Sequence, residues 1–256
     1  MHTPSALPIT TKQLTILVLI YRFRFLTTKH IQQVFGYKYI QSTQHQLTGL
    51  LELQYIARHY SAIDRLHGRY ASYYLQPAGI KLLRQYKSGV KAAVLHAQYK
   101  DKNASPRFIR HCLAIADIHS LIVHHYGEKA TFFTKSELTA YEYLLKPLPD
   151  VYLTIENATK PNAYFVEICE DNVDFFIHER RVRQYIAYSE AETWQVATGL
   201  PFPHVILVVD TDHRRQKFQQ YCDYRLERTF TELALQVVTK AMLAEHDFLR
   251  KLEFDT

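Results

Sequence analysis

The chain has 256 residues, which suits two domains of ordinary size, and 47% hydrophobic residues supply enough apolar surface for folded cores. Its net charge of +6 is unevenly distributed, since residues 1–105 carry 14 basic and 3 acidic side chains and the remainder carries 17 and 22. We therefore expect only the first part to meet a polyanion, and the short apolar runs exclude a membrane span.

The cysteines indicate the compartment. Cys112, Cys169 and Cys222 are widely scattered and odd in number, which argues against a disulfide framework and against a zinc site. The first residues also lack the pattern of a secretory signal peptide. We therefore expect a cytoplasmic protein.

Three short helices separated by tight turns are predicted near the start of the chain. Thr10 or Thr11 can cap the first helix, in which apolar residues recur at helical spacing. Thr28 caps the second helix, which stops at Gly36, and Ser42 opens a third that carries leucines on one side. This is the layout of a helix-turn-helix unit.

After the third helix the hydrophobic period changes from that of a helix to that of a strand. Segments 55–60 and 70–75 alternate, and the polar connection between them holds Arg65 and Arg69. Two strands with a basic tip form a wing, and Pro77 then begins a fourth helix. The sequence therefore predicts a winged helix-turn-helix DNA-binding domain over residues 8–86.

The third helix is the predicted reader of DNA, because in a winged helix it enters the major groove. With the leucines facing inward, its outward face holds Gln41, Ser42, Gln44, His45 and Thr48. Glutamine can bind adenine, but no arginine is present to read guanine, so we expect modest sequence specificity. Arg65 and Arg69 would reach phosphate or the minor groove, and Lys38 would neutralise backbone charge. The alternative is a winged helix that contacts protein.

The rest of the chain is predicted to form a linker and a second domain. Residues 87–106 are interpreted as a basic, partly helical linker, and residues 107–256 as an α/β domain. The predicted elements of this domain are a helix at 108–126, strands at 130–133, 150–155 and 163–169, a helix at 178–192, a strand at 205–209 and helices at 212–227 and 230–252.

Several segments resemble the replication-relaxation family of plasmids and mobile elements. In the first region they are residues 47–51 and 73–79, and in the second they are 110–118, 149–153 and 164–168. The resemblance extends to about residue 210. It implies a role in replication, DNA relaxation or gene control on a plasmid, phage or integrated element. It also implies a second domain distantly similar to the PD-(D/E)xK nuclease fold, also called the restriction-endonuclease-like fold.

Asp150 and Glu167 are the candidate catalytic and metal-binding residues. Asp150 begins one predicted strand and Glu167 lies in its hairpin partner, so both carboxylates can converge on one divalent metal. In the PD-(D/E)xK arrangement a lysine follows the glutamate by two residues, but Cys169 occupies that position and supplies no cation. Replacement basic groups are Lys160 in the hairpin loop and three arginines of the next helix that are also candidate phosphate contacts, namely Arg180, Arg181 and Arg183.

This pair is open to three interpretations: an active nuclease site that uses Mg²⁺, a degenerate nuclease fold, or ordinary hairpin residues of an unrelated α/β domain. The leading hypothesis is a protein that binds double-stranded DNA and needs no cofactor. Its second domain would mediate dimerisation, bind a protein partner or contact phosphate. Whether it is an enzyme stays open, although the missing lysine favours a protein without catalysis. The rivals are a metal-dependent DNA endonuclease that uses Asp150 and Glu167, and a winged-helix transcription factor whose second domain senses a ligand or protein.

Overall fold

The chain divides after Ala116 into two units in the computed structural model, Met1–Ala116 and Asp117–Thr256. The structure describes residues 9–86, 88–156, 162–229, 231–245 and 248–251. Within these ranges no helix combines the length and the apolar character that crossing a membrane requires.

The first unit contains the helices and strands that the sequence predicts, with small shifts of their ends. Its elements are α1 (Thr11–Phe23), β1 (Leu26–Thr27), α2 (Thr28–Phe35), α3 (Ile40–Glu52), β2 (Ile56–His59), α4 (Ala62–Leu66), β3 (Ser72–Leu75), α5 (Pro77–Tyr86) and α6 (Ala92–Gln98), followed by the start of α7 (Pro106–Tyr126). The three strands form an antiparallel sheet in the order β1-β3-β2.

Local signals set the ends of the first two helices. The Thr10 side chain accepts a hydrogen bond from the Gln13 backbone N–H, and the Gln13 side chain accepts one from the Thr10 backbone in return, so α1 starts with a complete capping box. Gly36 ends α2 in the left-handed conformation, with φ of 62°. Apolar residues of α1 and α3 face each other across the unit's core, and Leu17 and Leu50 there are completely buried.

Gly79 in α5 is required by a close approach. A Cβ atom at this position would lie 2.2 Å from the backbone carbonyl oxygen of Tyr55, which already accepts a hydrogen bond from the Gln76 N–H. No rotation of a side chain can relieve such a contact, because the obstacle is backbone. The glycine therefore allows α5 to pack directly against the segment that leads into β2.

The connection between β2 and β3 is partly helical, whereas the sequence interpretation made it an irregular polar tip. Ser61 caps α4, since its side chain accepts from the Asp64 N–H while the Asp64 carboxylate accepts from the Ser61 N–H. This reciprocal pair is a capping box, and it stabilises a single helical turn. Ile63 and Leu66 on this turn are 63% and 82% exposed.

The segment predicted as a partly helical linker contains α6 and a 3-10 turn at Asp101–Asn103. Asp101 is 1% exposed and forms an ion pair with Arg24. Its backbone carbonyl accepts a hydrogen bond from His59 Nε2 at 2.9 Å, and Gln98 Nε2 donates to the Tyr21 carbonyl at 2.8 Å. These contacts attach the segment to the rest of the first unit.

The second unit is a mixed five-stranded sheet with helices. After the end of α7 its elements are β4 (Ala130–Thr134), α8 (Lys135–Leu138), β5 (Val151–Ile155), β6 (Asn162–Ile168), α9 (Phe175–Glu190), α10 (Thr193–Thr198), β7 (His204–Val209), α11 (Asp212–Leu226), β8 (Leu235–Thr239), α12 (Lys240–Leu243) and α13 (Phe248–Lys251). The strand order is β4-β5-β6-β7-β8.

The direction of the strands confirms the predicted fold class. Strands β4, β5 and β6 form an antiparallel meander, and β7 and β8 then add in parallel after helical crossovers. Strand β7 is an almost continuous buried apolar run, as expected for a parallel strand covered on both faces. A helix, an antiparallel meander, helices and a parallel strand thus follow one another in the mixed α/β arrangement that the sequence predicts.

The prediction of a helix over 230–252 is wrong in its central part. Residues 235–239 form β8, which pairs in parallel with β7 from Val205↔Leu235 to Val209↔Thr239. β-branched Val237 and Val238 suit a pleated strand, and the open edge of β7 supplies the backbone partners. Residues 230, 246–247 and 252 lie outside the described part of the chain.

Candidate acidic site and nucleic-acid interface

Asp150 and Glu167 lie side by side on one face of the sheet of the second unit. The β5–β6 ladder pairs Tyr152 with Phe165 and Val151 with Val166, so the next position places Asp150 opposite Glu167. Because side chains alternate along a strand, both carboxylates share the face of Tyr152 and Phe165. They are 2% and 8% exposed. The structure therefore brings the two predicted residues together in a buried position.

A lysine and a backbone amide bind the Asp150 carboxylate. Lys135 Nζ lies 2.5 Å from Oδ1, and the Ile168 N–H donates to Oδ2 at 2.8 Å. Lys135 is the first residue of α8, and the capping box of Thr134 and Glu137 starts this helix directly after β4. Since β4 pairs Thr134 with Val151, the next residue reaches Asp150. The Lys135 side chain remains 45% exposed.

Three donors on α9 bind one oxygen of Glu167. Tyr185 Oη donates to Oε1 at 2.6 Å, and Arg181 donates to the same atom from Nη2 at 2.6 Å and from Nε at 2.9 Å. Arg181 and Tyr185 are four residues apart and therefore lie on the same side of the helix. Arg181 also donates to the Pro147 carbonyl at 2.8 Å. We call Lys135, Asp150, Glu167, Arg181 and Tyr185 the carboxylate cluster.

The charges of the carboxylate cluster compensate one another. Burial raises the pKa of Glu167, and the neighbouring Asp150 carboxylate raises it further, against the opposing effect of Arg181 and Lys135. Burial acts to lower the pKa of Lys135, but the attraction of Asp150 and Glu167 outweighs it, so that pKa lies above its ordinary value. Two carboxylates thus face an ammonium and a guanidinium group that are both charged at neutral pH.

The position of the nuclease lysine carries no cation. Cys169 is 2% exposed, and burial followed by the nearby Glu167 charge raises the pKa of its thiol well above the ordinary value. Its backbone N–H donates to the Val208 carbonyl within the sheet. Lys160, the other replacement considered for this role, lies outside the described residues. Lys135 and Arg181 supply the positive charge instead.

The donor set does not fit a divalent metal ion. Mg²⁺ requires six oxygen ligands in a near-octahedral arrangement, and a nuclease metal would bind between the two carboxylates. Here Lys135 binds Asp150 Oδ1 and Arg181 binds Glu167 Oε1, so each carboxylate already has a cationic partner. In the described ranges of the chain no group of three or more His, Cys, Asp or Glu side chains is placed to hold a metal.

The three arginines of α9 have different surroundings. Arg181 belongs to the carboxylate cluster, and its side chain is 11% exposed. Arg180 and Arg183 are exposed, and Arg183 donates to the Tyr221 hydroxyl at 3.2 Å. The structure therefore leaves Arg180 and Arg183, but not Arg181, at the surface where a phosphate could reach them.

The predicted recognition residues form one exposed surface of α3. Thr43, Leu47 and Leu50 of this helix are buried, and the side chains on its other side are exposed, namely Gln41, Ser42, Gln44, His45 and Thr48. We call these five residues the α3 face. It is polar and carries no formal charge when His45 is neutral, so it offers hydrogen bonds rather than electrostatic attraction.

The predicted basic contacts flank the α3 face in sequence. Lys38 is exposed, and its ammonium lies 5.4 Å from the centroid of the Tyr39 ring. Arg65 is exposed, with its guanidinium 5.5 Å from the Tyr60 ring. Arg69 lies 3.7 Å from the Asp64 carboxylate, so its charge is partly balanced.

Comparison with known proteins identifies one family, and the similar solved structures include two of FokI. The family model described as Replication-relaxation matches residues 17–205. No curated protein matches the chain. The structure of the restriction endonuclease FokI bound to DNA is similar with a TM-score of 0.35 and 10% identity, over 94% of this chain and 44% of that chain. FokI alone has a TM-score of 0.32 and 11% identity over the same shares. The chain thus spans less than half the length of FokI.

Proposed function

The chain belongs to the replication-relaxation family, and from this premise we propose that it is a DNA-binding protein acting in replication, DNA relaxation or transcriptional control of a plasmid, phage or mobile element. The first unit would act as a winged helix-turn-helix domain, with α3 in the major groove and the β2–α4–β3 hairpin as the wing. The observation that carries the proposal is the α3 face, five adjacent polar side chains that face solvent on a helix whose other side is buried.

Charge supports this assignment. The first 105 residues have 14 basic and 3 acidic side chains, so a phosphate backbone would be attracted to this part of the chain. Lys38 and Arg65 would bind phosphate, and Gln41 and Gln44 are suited to adenine edges. Because the α3 face has no arginine, most of the affinity would come from phosphate contacts, and sequence discrimination would be modest.

Duplex binding measured by fluorescence anisotropy tests the proposal. The double variant Gln44→Ala/His45→Ala should bind duplex DNA about thirtyfold more weakly, since each of the two lost base contacts is worth roughly 1 kcal/mol. A matched control is Gln85→Ala/His96→Ala, which removes the same two residue types from exposed positions of α5 and α6. Equal affinity of the two double variants would refute the role of α3.

We propose that the second unit acts without catalysis, as a module for a protein partner or a second copy of the chain. The carboxylate cluster supports this, because Lys135 and Arg181 take the place that a nuclease metal would need. Incubation with supercoiled plasmid and Mg²⁺ or Mn²⁺ should leave the plasmid intact. Nicking that disappears in Asp150→Ala would instead establish the endonuclease.

A further inference from the structure

The second unit contains an aromatic pocket for which the proposed DNA-binding role gives no account. Its cavity measures about 150 Å³ and is lined mainly by Phe133, Tyr141, Tyr143, Tyr152 and Trp194. Trp194 at the base is 3% exposed, whereas Tyr141 and the nearby Leu200 at the rim are 41% and 51% exposed. The pocket is therefore closed at one end and open to solvent at the other.

The rings of the aromatic pocket support one another. The Tyr152 ring centroid lies 5.4 Å from that of Trp194 and 5.9 Å from that of Phe133, and Tyr143 meets Trp194 edge-on at 5.9 Å. The indole N–H of Trp194 donates to the Pro201 carbonyl at 2.9 Å, which fixes the orientation of this ring. Such a preformed set of rings loses little conformational freedom when another flat ring enters.

Size and chemistry select the occupant. A cavity of about 150 Å³ holds a single benzene-sized ring. The phenol groups of Tyr141, Tyr143 and Tyr152 can donate hydrogen bonds as well as present ring faces, so the pocket suits a ring that carries carbonyl or imino groups at its edge. A pyrimidine base combines these properties, and base stacking on aromatic side chains is a common mode of binding to unpaired nucleic acid.

The pocket adjoins the carboxylate cluster. Tyr152 follows Asp150 by two residues on β5 and Phe165 precedes Glu167 by two on β6, so all four side chains lie on one face of the sheet. The Phe165 ring contacts both Tyr152 and Trp194, at 5.5 and 5.4 Å between centroids. Lys135 is bound to Asp150, but its side chain is 45% exposed and its ammonium group has three N–H donors, so the remaining donors can reach a nucleotide phosphate.

We propose that the aromatic pocket binds an unpaired pyrimidine base of DNA, with the attached phosphate near Lys135. This inference rests on the proposed function, since the first unit is proposed to bind DNA and would hold it close to the rest of the protein. It gives the second unit a ligand of its own, single-stranded DNA, in addition to the duplex bound by the first unit.

Trp194 reports directly on the pocket because it is the single tryptophan of the chain. Oligothymidylate should quench Trp194 emission in the full-length protein with saturation, whereas an abasic oligonucleotide of equal length should leave it unchanged. Oligodeoxyadenylate should bind more weakly than oligothymidylate, because a purine exceeds the cavity. Quenching by the abasic strand would mean that only phosphate is bound and would overturn the proposal. Rings can also bind a quaternary ammonium ion through cation–π attraction, and tighter binding of such an ion than of oligothymidylate would overturn the proposal as well.

Variants at the rim separate stacking from hydrogen bonding. Tyr141→Ala should weaken the binding of oligothymidylate about tenfold, and Tyr141→Phe, which keeps the ring, should retain most of the affinity. The control Tyr224→Ala removes an exposed tyrosine of α11, 51% exposed and away from the pocket lining, and should change nothing. Unchanged affinity of Tyr141→Ala would rule out the pocket.

These measurements are independent of the test of the α3 face. If duplex binding is insensitive to Gln44→Ala/His45→Ala while oligothymidylate still quenches Trp194, the proposed function fails and the pocket remains. If duplex binding behaves as expected and Trp194 does not respond, the pocket fails and the proposed function remains.

Discussion

On the α3 face five polar side chains point to solvent, whereas in the carboxylate cluster four charged groups point at one another. The five side chains of the α3 face are exposed, whereas in the cluster Asp150 and Glu167 are buried and only Lys135 reaches solvent to a large extent. Burying charges is favourable only when partners compensate the lost hydration, which Lys135 and Arg181 do here. The comparison teaches that two carboxylates that converge on one face of a sheet can stabilise the fold, while uncharged side chains on a surface remain available to a ligand.

The largest expected effect comes from removing a buried carboxylate of the carboxylate cluster. Glu167→Ala should lower the free energy of unfolding by about 3–5 kcal/mol, because Arg181 would remain buried without its partner and Tyr185 would lose its acceptor. Urea denaturation measures this loss. Duplex affinity should stay unchanged under conditions where the variant is folded.

Its matched control is Glu190→Ala, which removes an exposed glutamate from the end of α9, the helix that carries Arg181 and Tyr185, and should cost less than about 0.5 kcal/mol. A similarly small loss for Glu167→Ala would show that the cluster contributes little to folding.

The second effect concerns the exposed residues of the first unit and is measured as the salt dependence of duplex binding. Duplex affinity should fall steeply as salt rises, and Arg65→Ala should reduce the slope of log K against log salt by about 1, as expected for one lost phosphate contact. Arg69→Ala should reduce it less, because Asp64 already balances part of that charge. Anisotropy titrations over a series of salt concentrations measure both slopes.

Arg228→Ala provides the reference for this series, since Arg228 is exposed in the second unit and stacks on Tyr224 at 3.6 Å. A slope that is equally steep in all three arginine variants and in the unaltered protein would contradict a phosphate contact by the β2–β3 connection.

The smallest expected effect is a pH dependence of stability that arises from Glu167 in the carboxylate cluster. The folded-state pKa of Glu167 is raised above the value of about 4.3 expected when unfolded, so its contribution to stability is full below that value and is lost as pH rises through the folded pKa. Glu167→Gln has similar shape and does not titrate. The unaltered protein should therefore lose stability relative to Glu167→Gln as pH rises above about 4.3, a difference that melting temperatures can follow.

A difference that stays constant across this range would mean that Glu167 has an ordinary pKa in the folded state. A difference of the opposite sign would mean that Arg181 and Lys135 outweigh the effect of burial.

Elements with a strong local signal could be predicted from the sequence. The α3 face follows from helical spacing, since the buried Leu47 and Leu50 determine which side faces outward. The juxtaposition of Asp150 and Glu167 follows from a short hairpin between alternating strands. The α4 turn also has a local signal, since Ser61 and Asp64 have the spacing of a capping box, although the sequence interpretation made this connection irregular.

Features that depend on pairing between strands far apart in the sequence could not be predicted from local patterns. The segment of β8 has a weak pattern by itself and becomes a strand because β7 offers it a free edge. Lys135 reaches Asp150 only through the register of β4 on β5, in which Thr134 pairs with Val151. Charge compensation in the cluster therefore depends on tertiary structure. Arg181 is among the replacement cations that the sequence suggests and binds Glu167, whereas Lys135, which binds Asp150, is not among them.

Gly79 has a consequence for recognising other members of the family. The carbonyl oxygen of Tyr55 leaves no room for a Cβ atom at position 79. A glycine there therefore indicates that α5 lies directly against the segment before β2. A homologue with a larger residue at the equivalent position must have a displaced α5 or an altered chain path before β2. In sequence alignments a glycine at this position would therefore indicate the same close approach of α5 to the chain before β2.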